Sequence, residues 1–184
     1  MNASNMLILP GWQGSGDEHW QSRWERLYGY QRVEQHDWMH PLRGDWSARL
    51  EETVVDAEGP VVLLAHSLGC ILTAWWAAHS RNVGKVQAAL LVAPGDVERP
   101  ELAGPLRGWC PISQRALPFP SILVGSQDDP YCSLERAAAL AEAWGSRFVD
   151  AGACGHINAA SGLGDWPEGH ALLDSLVQNK TKKD

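Results

Sequence analysis

The stretch Val61-Val62-Leu63-Leu64-Ala65-His66-Ser67-Leu68-Gly69 constrains this 184-residue chain more than any other. An apolar, β-branched run stops at a serine. A small residue stands two positions before that serine and a glycine two after, and an apolar helical run, Ile71 to Ala78, follows directly. The layout predicts a nucleophile elbow, a buried strand turning sharply into a helix with a serine hydroxyl exposed at the turn. The turn needs small neighbours because it brings backbone segments together where a bulky Cβ substituent would clash. The common pattern is G-x-S-x-G, and Ala65 stands in place of its first glycine. A serine that merely caps the following helix is the competing reading of the same residues.

The chain is long enough for one domain with a sizeable core and too short for two ordinary ones. With 45% hydrophobic and 20% charged residues it reads as a soluble globular protein. Net charge is −7 and the one basic block is the tail Lys180-Thr181-Lys182-Lys183, which argues against nucleic acid as a partner. No apolar run reaches 18 residues, so membrane insertion is not expected, and the first residues lack a basic segment of the signal-peptide kind. Cys70, Cys110, Cys132 and Cys154 are widely spaced with no C-x-x-C pair, which predicts reduced thiols in the cytoplasm rather than a zinc site or disulfides. Residues 1–5 and 180–184 are expected to be flexible termini. The oligomeric state is not legible.

Apolar strands alternate with helical patterns along the chain. Buried strands are predicted at Met6–Leu9, Val61–Ala65, Ala88–Ala93 and Ser121–Gly125, with weaker ones at Gln31–Val33 and Arg147–Asp150. A Gly-rich loop, Gly11 to Gly16, leads to a helix that Asp17 or Ser15 would cap and that carries Trp20, Trp24 and Leu27 at helical spacing. Further helices are predicted at Asp45–Ala57, after Ser67, at Leu134–Trp144 and from Pro167 to Gln178. Uniformly apolar strands have both faces covered. The fold class is therefore α/β, a mostly parallel sheet of about six strands with helices on both faces. Only Pro94 to Pro120 is available for a cap, so any cap is small.

In such sheets function sits at the carboxyl ends of the strands. Three strand ends carry suggestive groups: Ser67, the pair Asp128-Asp129, and His156. Their order is Ser…Asp…His, as in α/β-hydrolases. A serine hydroxyl needs a base within hydrogen-bond reach, and an imidazole base needs a carboxylate to fix its tautomer. The residue types alone leave open which of Asp128 and Asp129 is the acid; the other would be a turn or capping residue. The oxyanion formed on attack needs backbone N–H donors, for which Leu68 and Trp12 are the candidates. Gly11, Ser15, His19, Trp109 and Trp166 are the expected substrate contacts. His66 is expected to pack beside the elbow. A Cys154–His156 nucleophile pair lacks an elbow, and no metal-ligand spacing is present.

Leu9-Pro10-Gly11, Gly14-Ser15-Gly16, His19-Trp20-Gln21, Ala65-His66-Ser67-Leu68-Gly69, Ser126 to Tyr131 and Gly155-His156-Ile157-Asn158 together resemble a known family. It is the group of small serine hydrolases that includes bacterial YdeN-like proteins and retinoblastoma-binding protein nine. Ser161-Gly162-Leu163-Gly164 followed by Trp166-Pro167 resembles its bacterial branch. The resemblance implies a compact α/β-hydrolase fold with a Ser-Asp-His triad and no cofactor. It places the acid directly before a proline, at Asp129, with Asp128 as the alternative, and it tolerates the small residue at Ala65. Retinoblastoma binding does not carry over, because Leu68-Gly69-Cys70-Ile71-Leu72 has leucine where the L-x-C-x-E motif needs glutamate.

The expectation is a hydrolase acting on a small-molecule ester, thioester or amide through an acyl-enzyme. Two alternatives share the same residues: a weakly catalytic or non-catalytic interaction module on this fold, and an acyltransferase with a non-water acceptor.

Overall fold

The computed structural model describes residues 3–102 and 104–178. Six strands form one sheet: β1 (Met6–Leu9), β2 (Gln31–Arg32), β3 (Val61–His66), β4 (Val86–Val92), β5 (Ser121–Gly125) and β6 (Arg147–Asp150). Their order is β2-β1-β3-β4-β5-β6, and every pairing is parallel. Five helices connect or follow them: α1 (Trp20–Tyr28), α2 (Arg43–Asp56), α3 (Leu68–His79), α4 (Leu134–Trp144) and α5 (Pro167–Gln178).

Alternate residues of each central strand feed two separate cores. Leu7, Leu9, Leu63 and Ala65 join Trp46, Trp76, Trp109 and Trp144 on the face covered by α2, α3 and α4. Ile8, Val62 and Leu64 join Trp20, Trp24 and Trp166 on the face covered by α1 and α5. Strands buried on both sides have no polar face to show, which is why they read as continuous apolar runs.

Two local expectations need correction. The cap of α1 is His19, whose Nδ1 accepts from the Gln21 N–H, rather than Asp17 or Ser15. Leu27, one turn past Trp24 near the end of that helix, is exposed rather than buried with the tryptophans. Ala3–Asn5 form a 3-10 turn that runs into β1; residues 1 and 2 of the expected flexible N-terminus, and 180–184 of the C-terminal one, lie outside the described residues. Among the described residues no helix is long and apolar enough to cross a membrane.

Candidate active site

Because all six strands are parallel, their carboxyl ends share one edge of the sheet. Ser67 sits at the end of β3 with φ 54° and ψ −118°, a region that costs a non-glycine residue on the order of 1–3 kcal/mol. The strained turn persists because its neighbours leave no other path. Gly69 lies against the end of β1 so closely that a Cβ there would meet the Leu9 carbonyl oxygen at 2.3 Å. A Cβ on Gly11 would come 2.7 Å from Ser67 Cβ.

His156 follows β6 and brings Nε2 to 3.0 Å from Ser67 Oγ. Its Nδ1 lies 2.9 Å from both oxygens of Asp129, which follows β5. The carboxylate holds the proton on Nδ1, so the Nε2 lone pair faces the serine hydroxyl. Asp129 also accepts from the Tyr131 N–H, and the Tyr131 ring stands edge-on to His156 at 4.6 Å. Asp128 has a different role. It accepts from the Gly155 N–H and from Ser126 Oγ, and those bonds hold its carboxyl below the usual range. Ser126 Oγ in turn accepts from the Cys154 N–H and reaches the Gly152 carbonyl. The loops after β5 and β6, one carrying Asp129 and the other His156, are thus stitched to each other. The capping duty left for one aspartate falls instead to Ser133, whose hydroxyl accepts from Arg136 N–H at the start of α4.

The Trp12 and Leu68 N–H groups make no backbone hydrogen bond; Leu68 opens a helix, where such groups are unsatisfied by construction. The loop bearing Trp12 is held by Gln13 N–H to the Trp38 carbonyl and by positive φ at Gln13 and Gly14. Gln21 braces the loop's base. Fully buried on α1, it donates from Nε2 to the carbonyls of Leu9 and Leu64 and accepts from Ser15 Oγ. Sequence reasoning missed this residue, although a glutamine inside the tryptophan stripe of α1 was the available signal.

Two further imidazoles stand beside His156. His66 Nε2–H donates to the His156 carbonyl at 2.9 Å, and its ring meets that of His156 edge-on at 4.8 Å. His19 packs edge-on against His66 at 4.5 Å, with Nε2 buried and without a hydrogen-bond partner. Burial, reinforced by His156 and Arg32, pushes the His19 pKa down to about 3. Burial, then His19 and His156, carries that of His66 well below its usual value. Both rings are therefore neutral near pH 7.

A cavity of about 450 Å³ opens over Ser67. Gly11, Trp12, His19 and Leu68 line it, whereas Ser15, Trp109 and Trp166 do not. Ser15 spends its hydroxyl on Gln21 and its carbonyl on Ser22 Oγ. Trp109 is buried in the first core, donating to the Pro41 carbonyl, and Trp166 is buried against Trp20 and Trp24 in the second. Residues not anticipated line the cavity in their place, among them Gly95, Val97, Leu102, Leu106 and Asn158. Cys154 lies outside it and donates its thiol to the Ala151 carbonyl. Among the described residues no cluster of three or more His, Cys, Asp or Glu stands at metal-binding spacing.

This sheet order, with an elbow serine at its centre and no large cap, defines an α/β-hydrolase. Residues 6–175 match the serine hydrolase family model, and the chain belongs to that family. It is similar over 95% of its length to a YdeN-like hydrolase structure from Pectobacterium atrosepticum, with 32% identity, a TM-score of 0.84 and 90% of that chain covered. The ydeN gene product of B. subtilis shares 20% identity at a TM-score of 0.75, covering 95% of this chain and 99% of that one. The fold is also that of Est1E from Butyrivibrio proteoclasticus, a structure with bound ferulic acid, at 12% identity, a TM-score of 0.70 and coverage of 96% and 88%. No curated protein matches the sequence.

Proposed function

We propose that the protein cleaves small carboxylic esters, thioesters or amides through Ser67, His156 and Asp129. One observation carries this reading: the unbroken line from Ser67 Oγ through both nitrogens of His156 to Asp129, with links of 3.0 and 2.9 Å. His156 Nε2 takes the Ser67 proton as Oγ bonds to the substrate carbonyl carbon. The N–H groups of Leu68 and Trp12 receive the oxyanion. Asp129 stabilises the imidazolium without itself taking the proton. Collapse of the tetrahedral intermediate breaks the bond to the alcohol, thiol or amine, which leaves with the proton from His156. Water then gives a proton to His156 and bonds to the acyl carbon. The bond to Oγ breaks, Ser67 regains its proton, and the carboxylic acid departs.

Labelling with a fluorophosphonate, followed by identification of the modified residue, tests this. The expected adduct is on Ser67, is absent from Ser67→Ala, and accompanies turnover of short p-nitrophenyl esters that His156→Ala abolishes. A wild-type protein that resists the label as completely as Ser67→Ala would refute it.

A further inference from the structure

We propose that the nucleophile divides the cavity into an acyl site over Gly95 and a leaving-group site along Asn158 to Ala160, and that the acyl site takes an uncharged aliphatic chain. The assignment rests on the hydrolase reading above. Proton transfer sets the first half of it. The departing atom must reach His156 Nε2, so the leaving group lies on the His156 side. There the chain runs from His156 through Ile157, which is anchored in the second core, to Asn158, Ala159 and Ala160 at the cavity wall. The acyl substituent leaves a tetrahedral carbon in another direction. Val97, Leu102 and Leu106 line the same cavity but belong to or pack on the first core, on the face of the sheet opposite the one that anchors Ile157.

Gly95 is the threshold between nucleophile and apolar wall. It is buried just past β4, and a Cβ placed on it would lie 3.3 Å from Ser67 Oγ and 3.9 Å from the Leu68 nitrogen. That position is beside both the attacking atom and an oxyanion donor. A carbon attached to the acyl carbonyl has to pass this point, and the missing side chain leaves the room for it. Beyond it the wall is aliphatic, and among the described residues lining the whole cavity none is Asp, Glu, Lys or Arg. A charged acyl group would lose its hydration there with no partner to replace it.

Two substrate series separate the sites. With p-nitrophenol as the fixed leaving group, acyl chains run from acetyl through butyryl to hexanoyl. With acetyl as the fixed acyl group, the alcohols run from methanol through phenol to naphthol. Burying a methylene is worth roughly fourfold, so the wild-type butyrate-to-acetate ratio of kcat/KM should be on the order of ten. A succinyl ester, with its free carboxylate, should fall below acetate. Gly95→Ala and Leu102→Trp, the latter at a half-buried position that spares the core, should bring the butyrate-to-acetate ratio to one or below. Ala160→Trp, at an exposed position, should keep that ratio and lower the naphthyl-to-methyl ratio in the acetate series. Thermal melts establish that each variant is folded. The assignment is overturned if Ala160→Trp changes the acyl ratio while Leu102→Trp changes the alcohol ratio, if neither moves either ratio, or if succinyl is preferred. Loss of all turnover by the wild type would instead remove the hydrolase reading, and this assignment with it.

Discussion

Lowering the pH from 7 to 5 should cost this fold about 4 kcal/mol through His19 and His66 alone. Both rings are held neutral in the native site, His19 with its pKa pushed to about 3 and His66 well below its usual value, burial being the largest cause for each. In the unfolded chain each returns to about 6.5. Below that pH the unfolded state binds protons that the folded state refuses, so stability falls as pH falls. Between pH 7 and 5 an imidazole that stays neutral when folded loses about 2 kcal/mol, and the two together about twice that. Against a total of roughly 5–15 kcal/mol this is large. The carboxylates held low, Asp37, Asp128 and Asp150, lose their contributions only nearer pH 4, so the window isolates the imidazoles. Urea denaturation followed by tryptophan fluorescence at pH 7, 6 and 5 measures the effect. His19→Asn retains an acceptor for the Gln21 N–H, and His66→Gln retains a donor for the His156 carbonyl; neither can titrate. Each should remove about half of the acid-induced loss. A wild-type stability that is flat from pH 7 to 5, or single variants with the wild-type slope, would show that the rings take up protons in the native state.

The two neighbouring aspartates should separate in kinetics: Asp129→Asn lowers kcat by about 10³–10⁴ because the imidazole loses its tautomer, while Asp128→Asn loses less than tenfold because it touches only backbone and Ser126. Steady-state rates on one ester read this, and equal losses would contradict the geometry. Glycines should separate in thermal melts: Gly69→Ala drives a Cβ into the Leu9 carbonyl and should abolish folding or strip several kcal/mol, whereas Gly44→Ala, in the first turn of α2 with open space around it, should gain about 0.5–1 kcal/mol.

The centre of the sheet was legible because β1, β3, β4 and β5 are buried on both faces. Met6–Leu9 and Ser121–Gly125 have the limits their apolar runs suggest, β3 extends one residue past its run, and the edge strand Arg147–Asp150 has its expected limits although both its ends are charged and exposed. The elbow and its partners were legible because parallel strands deliver their next residues to one edge. The cavity wall was not. Tryptophan suits a core and a cleft equally well, so no pattern in the chain tells Trp12, which lines the cavity, from Trp109 and Trp166, which fill cores. Gly95, Val97 and Leu106 lie in a stretch without periodicity, where the path is set by tertiary contacts such as Asp96 N–H to the Tyr131 carbonyl. Gln21 is polar yet fully buried, because two strand-end carbonyls need its amide.

The stitching of the loops after β5 and β6 bears on how such a site can change over time. Asp128 and Ser126 reach across to Gly152, Cys154 and Gly155, so Asp129 and His156 ride on one cross-braced platform while Ser67 stands on a separate strand-to-helix corner. Remodelling either loop alone severs the braces and shifts His156 relative to Asp129. The wall around Gly95 to Leu106 is tied to that platform at Asp96, whose N–H donates to the Tyr131 carbonyl, and at Arg99, which donates to the Pro130 carbonyl, whereas Leu102 and Leu106 make no bond to it. Divergence among such proteins therefore has an open direction, through side chains such as Leu102 and Leu106, and a difficult one, in which the two loops must be inherited together.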